Sequence, residues 1–120
     1  MQINPTDCTL DLADFREKIN DKTRLVAVGC ASNASGTVNP VGTICGWARE
    51  VGALSFLDAV HFAPHFSINV KELGCDFLLC SAYKFYGPHV GFLYSKPGLL
   101  EQLETDRLVR FRAKRLYALF

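Results

Sequence analysis

What this sequence lacks narrows it first. No apolar run approaches the ~20 residues needed to span a bilayer; Gly, Ser or a charge interrupts each one well before that. No basic-then-apolar leader opens the chain, so secretion is not expected. Net charge is almost absent, at +1 from 13 Lys and Arg against 12 Asp and Glu. The five cysteines (Cys8, Cys30, Cys45, Cys75 and Cys80) are odd in number and include no C-x-x-C pair. That favours buried free thiols in a reducing, cytoplasmic compartment over a disulfide or metal framework. His61 and His65 have the spacing of helical metal ligands, but Pro64 between them argues against a helix, and no metal site is expected.

What is present describes a globular chain. Its 120 residues are 49% hydrophobic and 21% charged, enough for one domain with a modest core. The charge is unevenly spread. After Asp106 come Arg107, Arg110, Arg112, Lys114 and Arg115 with no acid, so residues 1–106 carry eight basic against twelve acidic groups. The body therefore has no general attraction for nucleic acid, and only the tail is basic. That tail is read as a read-through or out-of-frame end in preference to a solvated amphipathic helix or a basic contact segment.

Along the chain, short apolar runs alternate with helical stretches. "DLADFREKIN" predicts a helix capped by Asp11 with Leu12, Phe15 and Ile19 on one face. "NPVGTICGWAREV" predicts a second, capped by Asn39 with Pro40 in the first turn. "NVKELGC" predicts a short third between Asn69 and Gly74, and "PGLLEQL" a fourth from Pro97. Strands are predicted over 24–30, 53–58, 76–80 and 91–94. Their apolar residues are continuous rather than alternating, which predicts a mostly parallel α/β sheet covered on both faces. Residues 80 to 91 are too close for a crossover, so the last strand is expected to run antiparallel.

In an open α/β sheet, ligands bind beyond the carboxyl ends of the strands. Three features fall there. The loop "ASNASGTVNP" (31–40) is rich in small and polar residues; it is either a ligand-approaching loop or a plain turn. Asp58 ends the second strand, where a carboxylate either caps the next turn or receives a protonated ring nitrogen. Lys84 follows the third strand in "LLCSAYKFYGPHVGFLY", flanked by Tyr83, Phe85 and Tyr86 with no acid in the window. A lone lysine there reads as a solvated turn. With Asp58 and the small-residue loop on the same edge, it reads as an amine kept for chemistry.

"LDAVHFAPH" followed by "LLCSAYKFYGPHVGFLY" resembles the cofactor core of class V aminotransferase-fold enzymes. These are pyridoxal-phosphate enzymes of fold type I, and the cysteine desulfurases and selenocysteine lyases are the most similar group. The resemblance covers roughly residues 24–103. It implies that Lys84 is the lysine carrying the cofactor, that Asp58 pairs with the pyridinium nitrogen, and that His61 and Asn33 lie by the ring's phenolic oxygen. It also implies that Ser81 binds phosphate, with Tyr83 standing where desulfurases usually have a phosphate-touching histidine. By the same resemblance, residues 1–103 are part of the cofactor-binding large domain and 104–120 are not family-like.

Family members are several times longer. Their further parts include a phosphate-gripping turn, a ring-stacking residue, a small C-terminal domain, a substrate-carboxylate arginine and, in desulfurases, a sulfur-accepting cysteine. None of these has a counterpart here, and Cys75 and Cys80 read as sheet-core residues rather than sulfur acceptors. The implied activity is removal of sulfur or selenium from a cysteine-type amino acid by the complete enzyme, with a small amino-acid substrate and a homodimer, and without membrane or nucleic acid. This chain alone is expected to be inactive. Two alternatives are an aminotransferase of the same family and a non-catalytic α/β remnant or interaction module.

Overall fold

The computed structural model describes residues 2–102; the expectation of a separate basic tail over 104–120 falls outside the described residues. Helix α1 (Leu12–Lys18) begins where Asp11 accepts a hydrogen bond from the Asp14 backbone N–H, as the sequence predicts. Strand β1 (Leu25–Gly29) follows, then helix α2 (Val41–Glu50), strand β2 (Leu54–Asp58) and the single-turn helix α3 (Val70–Leu73). Strand β3 (Phe77–Ser81) leads through a 3₁₀ turn (Ala82–Phe85) into strand β4 (Gly91–Ser95). The helix expected from Pro97 is, among the described residues, a 3₁₀ turn at Leu100–Gln102.

The four strands form one sheet in the order β1-β2-β3-β4. The first two pairings are parallel, Val28 facing Leu57 and Asp58 facing Leu79. The last is antiparallel, with Ser81 opposite Gly91. The mixed sheet is thus the predicted one.

Helix α2 packs on β1 and β2. Its buried Val41, Ile44, Cys45 and Ala48 join Val26, Val28, Leu57 and Leu78 in the core. Leu12, Phe15 and Ile19 of the α1 segment pack against the same core, and Phe15 stacks on Trp47 at 6.0 Å. The other face of the sheet departs from expectation. Burial alternates along β1 and β2, and Leu25 and Leu93 are 55% and 51% exposed. Continuous apolar strands imply cover on both sides, whereas helix α2 and the core cluster lie on one.

Two local expectations are corrected. Asn39 does not cap α2; Pro40 takes that position without a side-chain bond. The Asn39 amide instead donates to the Gly29 carbonyl at 2.8 Å, holding the loop after β1 to its strand. Cys8 is exposed, whereas Cys30, Cys45 and Cys75 are buried and Cys80 is half-buried; all five are free thiols. Among the described residues, no helix is long and apolar enough to cross a membrane.

Candidate functional site

The carboxyl ends of the three parallel strands share one edge of the sheet. The backbone of β2 is held there on both sides: Cys30 N–H donates to the Asp58 carbonyl at 2.8 Å, and Ala59 N–H donates to the Leu79 carbonyl at 2.8 Å. Asp58 therefore projects from a fixed point. Its side chain is exposed, and Oδ1 accepts from the Val60 N–H at 2.9 Å. The capping role considered from sequence is real, yet it engages one oxygen. Oδ2 has no partner among the described residues and remains available.

Strand pleat places Ser81 on the same face as Asp58. Asp58 is in register with Leu79, and Ser81 lies two residues further along β3. The Ser81 side chain does not cap the 3₁₀ turn that follows it. Lys84 sits inside that turn, half-buried, and among the described residues it has no ion pair. Its Nζ lies 4.9 Å from the centroid of the Tyr83 ring. Among the described residues, Lys84 thus has one aromatic ring beside its amine, that of Tyr83, and no ion pair.

The loop bearing Lys84 is tightly closed. Ala82 N–H donates to the Val90 carbonyl at 2.9 Å, Gly87 N–H to the Ala82 carbonyl at 2.8 Å, and Tyr86 adopts a left-handed backbone with φ of 66°. Closure returns His89 to Tyr83, where the two rings stack at 5.0 Å with 13° between planes. Sequence reasoning misses His89, because no spacing rule links positions 83 and 89 until the loop is closed. The Gly87-Pro88 pair marks a turn in the sequence, but the tie from Gly87 back to Ala82 emerges only in the structure.

His61 lies half-buried in the turns after β2, and Asn33 is exposed at the tip of the loop after β1. That loop is a small hairpin of its own. Ala31 bridges Val38, and the Ser32 hydroxyl accepts from the Ala34 and Ser35 N–H groups. Asp58 and Ser81 thus share a face at neighbouring strand ends, and Tyr83 and Lys84 lie in the turn that follows Ser81. No hydrogen bond among the described residues ties His61 or Asn33 to them. A cavity of about 760 Å³ lies elsewhere, between α3 and strands β3 and β4, and is lined by none of these six residues. Its size reflects apolar sheet left uncovered rather than chemistry.

This sheet edge thus carries an anchored carboxylate at one strand end and, just past the next, an amine with no ion pair among the described residues. The Aminotransferase class-V family profile matches residues 2–108, and the chain belongs to that family. Within it, the chain is similar to cysteine desulfurases. It is 42% identical over 99 residues to a Halalkalibacterium halodurans protein named "Probable cysteine desulfurase", covering 82% of this chain and 24% of that protein. An "Aminotransferase-like protein FGM3" from Gibberella zeae is 44% identical over 97 residues, 80% of this chain and 24% of that one. The crystal structure of the cysteine desulfurase CsdA from Escherichia coli superposes with a TM-score of 0.76 at 32% identity, over 82% of this chain and 25% of that chain. The chain spans about a quarter of the length of these relatives.

Proposed function

We propose that this chain supplies the cofactor-anchoring part of a pyridoxal-phosphate-dependent enzyme of the cysteine desulfurase type. One observation carries the reading: neighbouring strand ends present a carboxylate with a free oxygen, Asp58, and an amine without an ion pair, Lys84. This donor set fits the group. Asp58 Oδ2 is free to accept a hydrogen bond from a protonated ring nitrogen, and the Ser81 hydroxyl, on the same face, is free to donate to phosphate. Pyridoxal phosphate, when bound, supplies an electron sink for bonds broken next to an amino acid's α-carbon.

The chain's own residues then have distinct tasks. Lys84 would hold the cofactor through Nζ and would serve as a proton carrier beside it. Asp58 keeps the ring nitrogen protonated by a charge-assisted hydrogen bond. Ser81 and the Tyr83 hydroxyl orient the phosphate, while His61 and Asn33 serve the phenolic oxygen. The similar proteins named cysteine desulfurases support a cysteine-type amino acid as substrate. The reading extends to a homodimeric complete enzyme and to a reducing, cytoplasmic setting, the latter supported by five free thiols.

The test is direct. The chain is incubated with pyridoxal phosphate, reduced with borohydride and mapped by peptide mass. Label is expected on the Lys84 peptide, and a Lys84→Ala variant labelled as strongly as the parent sinks the assignment. Release of sulfide from cysteine by this chain alone is expected to stay below detection.

A further inference from the structure

The loop from Ala82 to Val90 does more than carry Lys84 past the end of β3. Its two ends are joined by the bond from Ala82 N–H to the Val90 carbonyl, and its middle by that from Gly87 N–H to the Ala82 carbonyl. Between these ties the chain turns back, so His89 lies against Tyr83 with rings almost parallel, 13° apart at 5.0 Å. The same Tyr83 ring has the Lys84 Nζ 4.9 Å from its centroid. Consecutive contacts therefore run from imidazole to phenol to amine, all on one closed loop.

A ring with an ammonium group within about 6 Å attracts it through its quadrupole. That attraction orients the amine only if the ring is itself held. Tyr83 is 45% exposed, so burial alone leaves much of its ring without packing to fix it. The His89 stack is the contact that removes its freedom, and an offset-stacked pair favours this separation. Lysine otherwise loses substantial rotamer freedom when its amine is fixed at one place.

We propose that His89 is a positioning residue for Lys84, acting through the Tyr83 ring. Stacked on His89, Tyr83 holds the amine near the end of β3, so part of the ordering needed for covalent capture of an aldehyde is already done in the free protein. The chemistry it serves rests on the cofactor reading above. The stack itself does not, and the two are tested separately.

The full chain is prepared with ε-¹³C-lysine, and the Lys84 ε-methylene resonance is followed by NMR. The Tyr83 ring is expected to displace that resonance from those of the exposed Lys22 and Lys71. His89→Ala is expected to return it most of the way toward them. His89→Phe, which keeps a stacking ring but no imidazole, is expected to restore the displacement. In parallel, pyridoxal phosphate with borohydride is used to compare labelling of Lys84 with labelling of Lys22 in the same sample. His89→Ala is expected to lower that ratio about two- to five-fold, the size of one exposed cation–aromatic contact, and His89→Phe to recover it. An unchanged Lys84 resonance in His89→Ala, or a His89→Phe variant indistinguishable from His89→Ala, overturns the role of His89. A parent chain that labels Lys84 no faster than Lys22 overturns the cofactor reading instead; the displaced and restored resonance would still support His89 as the residue that holds the amine.

Discussion

A methyl group added at Gly87 would lie 2.8 Å from the Ala82 Cβ and 2.9 Å from the Ala82 carbonyl oxygen. The second contact is with backbone, so no rotamer change relieves it. Gly87→Ala is therefore expected to cost about 1–3 kcal/mol, the usual range for overpacking, and to slow labelling at Lys84 because the turn must open. Denaturant midpoints and peptide mapping report the two effects. Asp58→Asn separates chemistry from folding in the opposite way. An asparagine oxygen still accepts from the Val60 N–H, so stability is expected within about 0.5 kcal/mol of the parent. On the proposed cofactor reading the substitution removes the charge meant for the ring nitrogen, and retention of pyridoxal phosphate on gel filtration is expected to fall at least about ten-fold. Asp58 and Lys84 are legible as candidates because each follows an apolar run, whereas Ser81 enters as a candidate only through the family resemblance. His89 is not legible, since its relation to Tyr83 exists only through two backbone hydrogen bonds that close the loop.

Between elements, the amino ends of the strands are tied by a small polar network. Ser55, buried at 2% exposure, donates its backbone N–H and its hydroxyl to Asp76 Oδ2, both at 2.9 Å. Asp76 N–H donates back to the Ser55 hydroxyl at 3.0 Å, and Lys96 approaches the other carboxylate oxygen at 3.7 Å. One carboxylate thus joins β2, the start of β3 and the end of β4. Asp76→Ala leaves the Ser55 donors without their acceptor. It is expected to cost about 1–3 kcal/mol, measured by urea unfolding, with Ser55→Ala recovering part of the loss in the double variant.

Strand positions and the antiparallel β4 are legible from run lengths and from the short 80-to-91 connection. The start of α2 is misread because an Asn before Pro satisfies the capping rule, yet its amide satisfies the Gly29 carbonyl better. Cover on both faces is misread because apolar composition records what a strand can bury, not which partner does so.

At the scale of the whole molecule, the buried thiols set a limit on alkaline stability. Burial pushes Cys30 from 9.0 up to about 12 and Cys75 from 9.0 up to about 11. Both folded values lie above the unfolded one. The stabilising contribution is therefore complete below about pH 9 and is lost as pH rises toward 11 and 12, because the unfolded chain sheds protons the folded one keeps. Each thiol contributes a slope of about 1.4 kcal/mol per pH unit in that window. Denaturant midpoints are expected to be flat from about pH 7 to 8.5 and to fall between about 9 and 10.5. A combined Cys30→Ala and Cys75→Ala variant is expected to flatten that fall.

The register of the sheet carries one more consequence. Asp58 faces the open side only because Phe56 pairs with Phe77 and Leu57 with Leu78. Side chains alternate every residue, so a slip of one position would turn the carboxylate into the helix-covered side. A single inserted or deleted codon within β2 would thus abolish the site while leaving its composition intact. Evolution of this chain is constrained by counting along β2 before it is constrained by residue type.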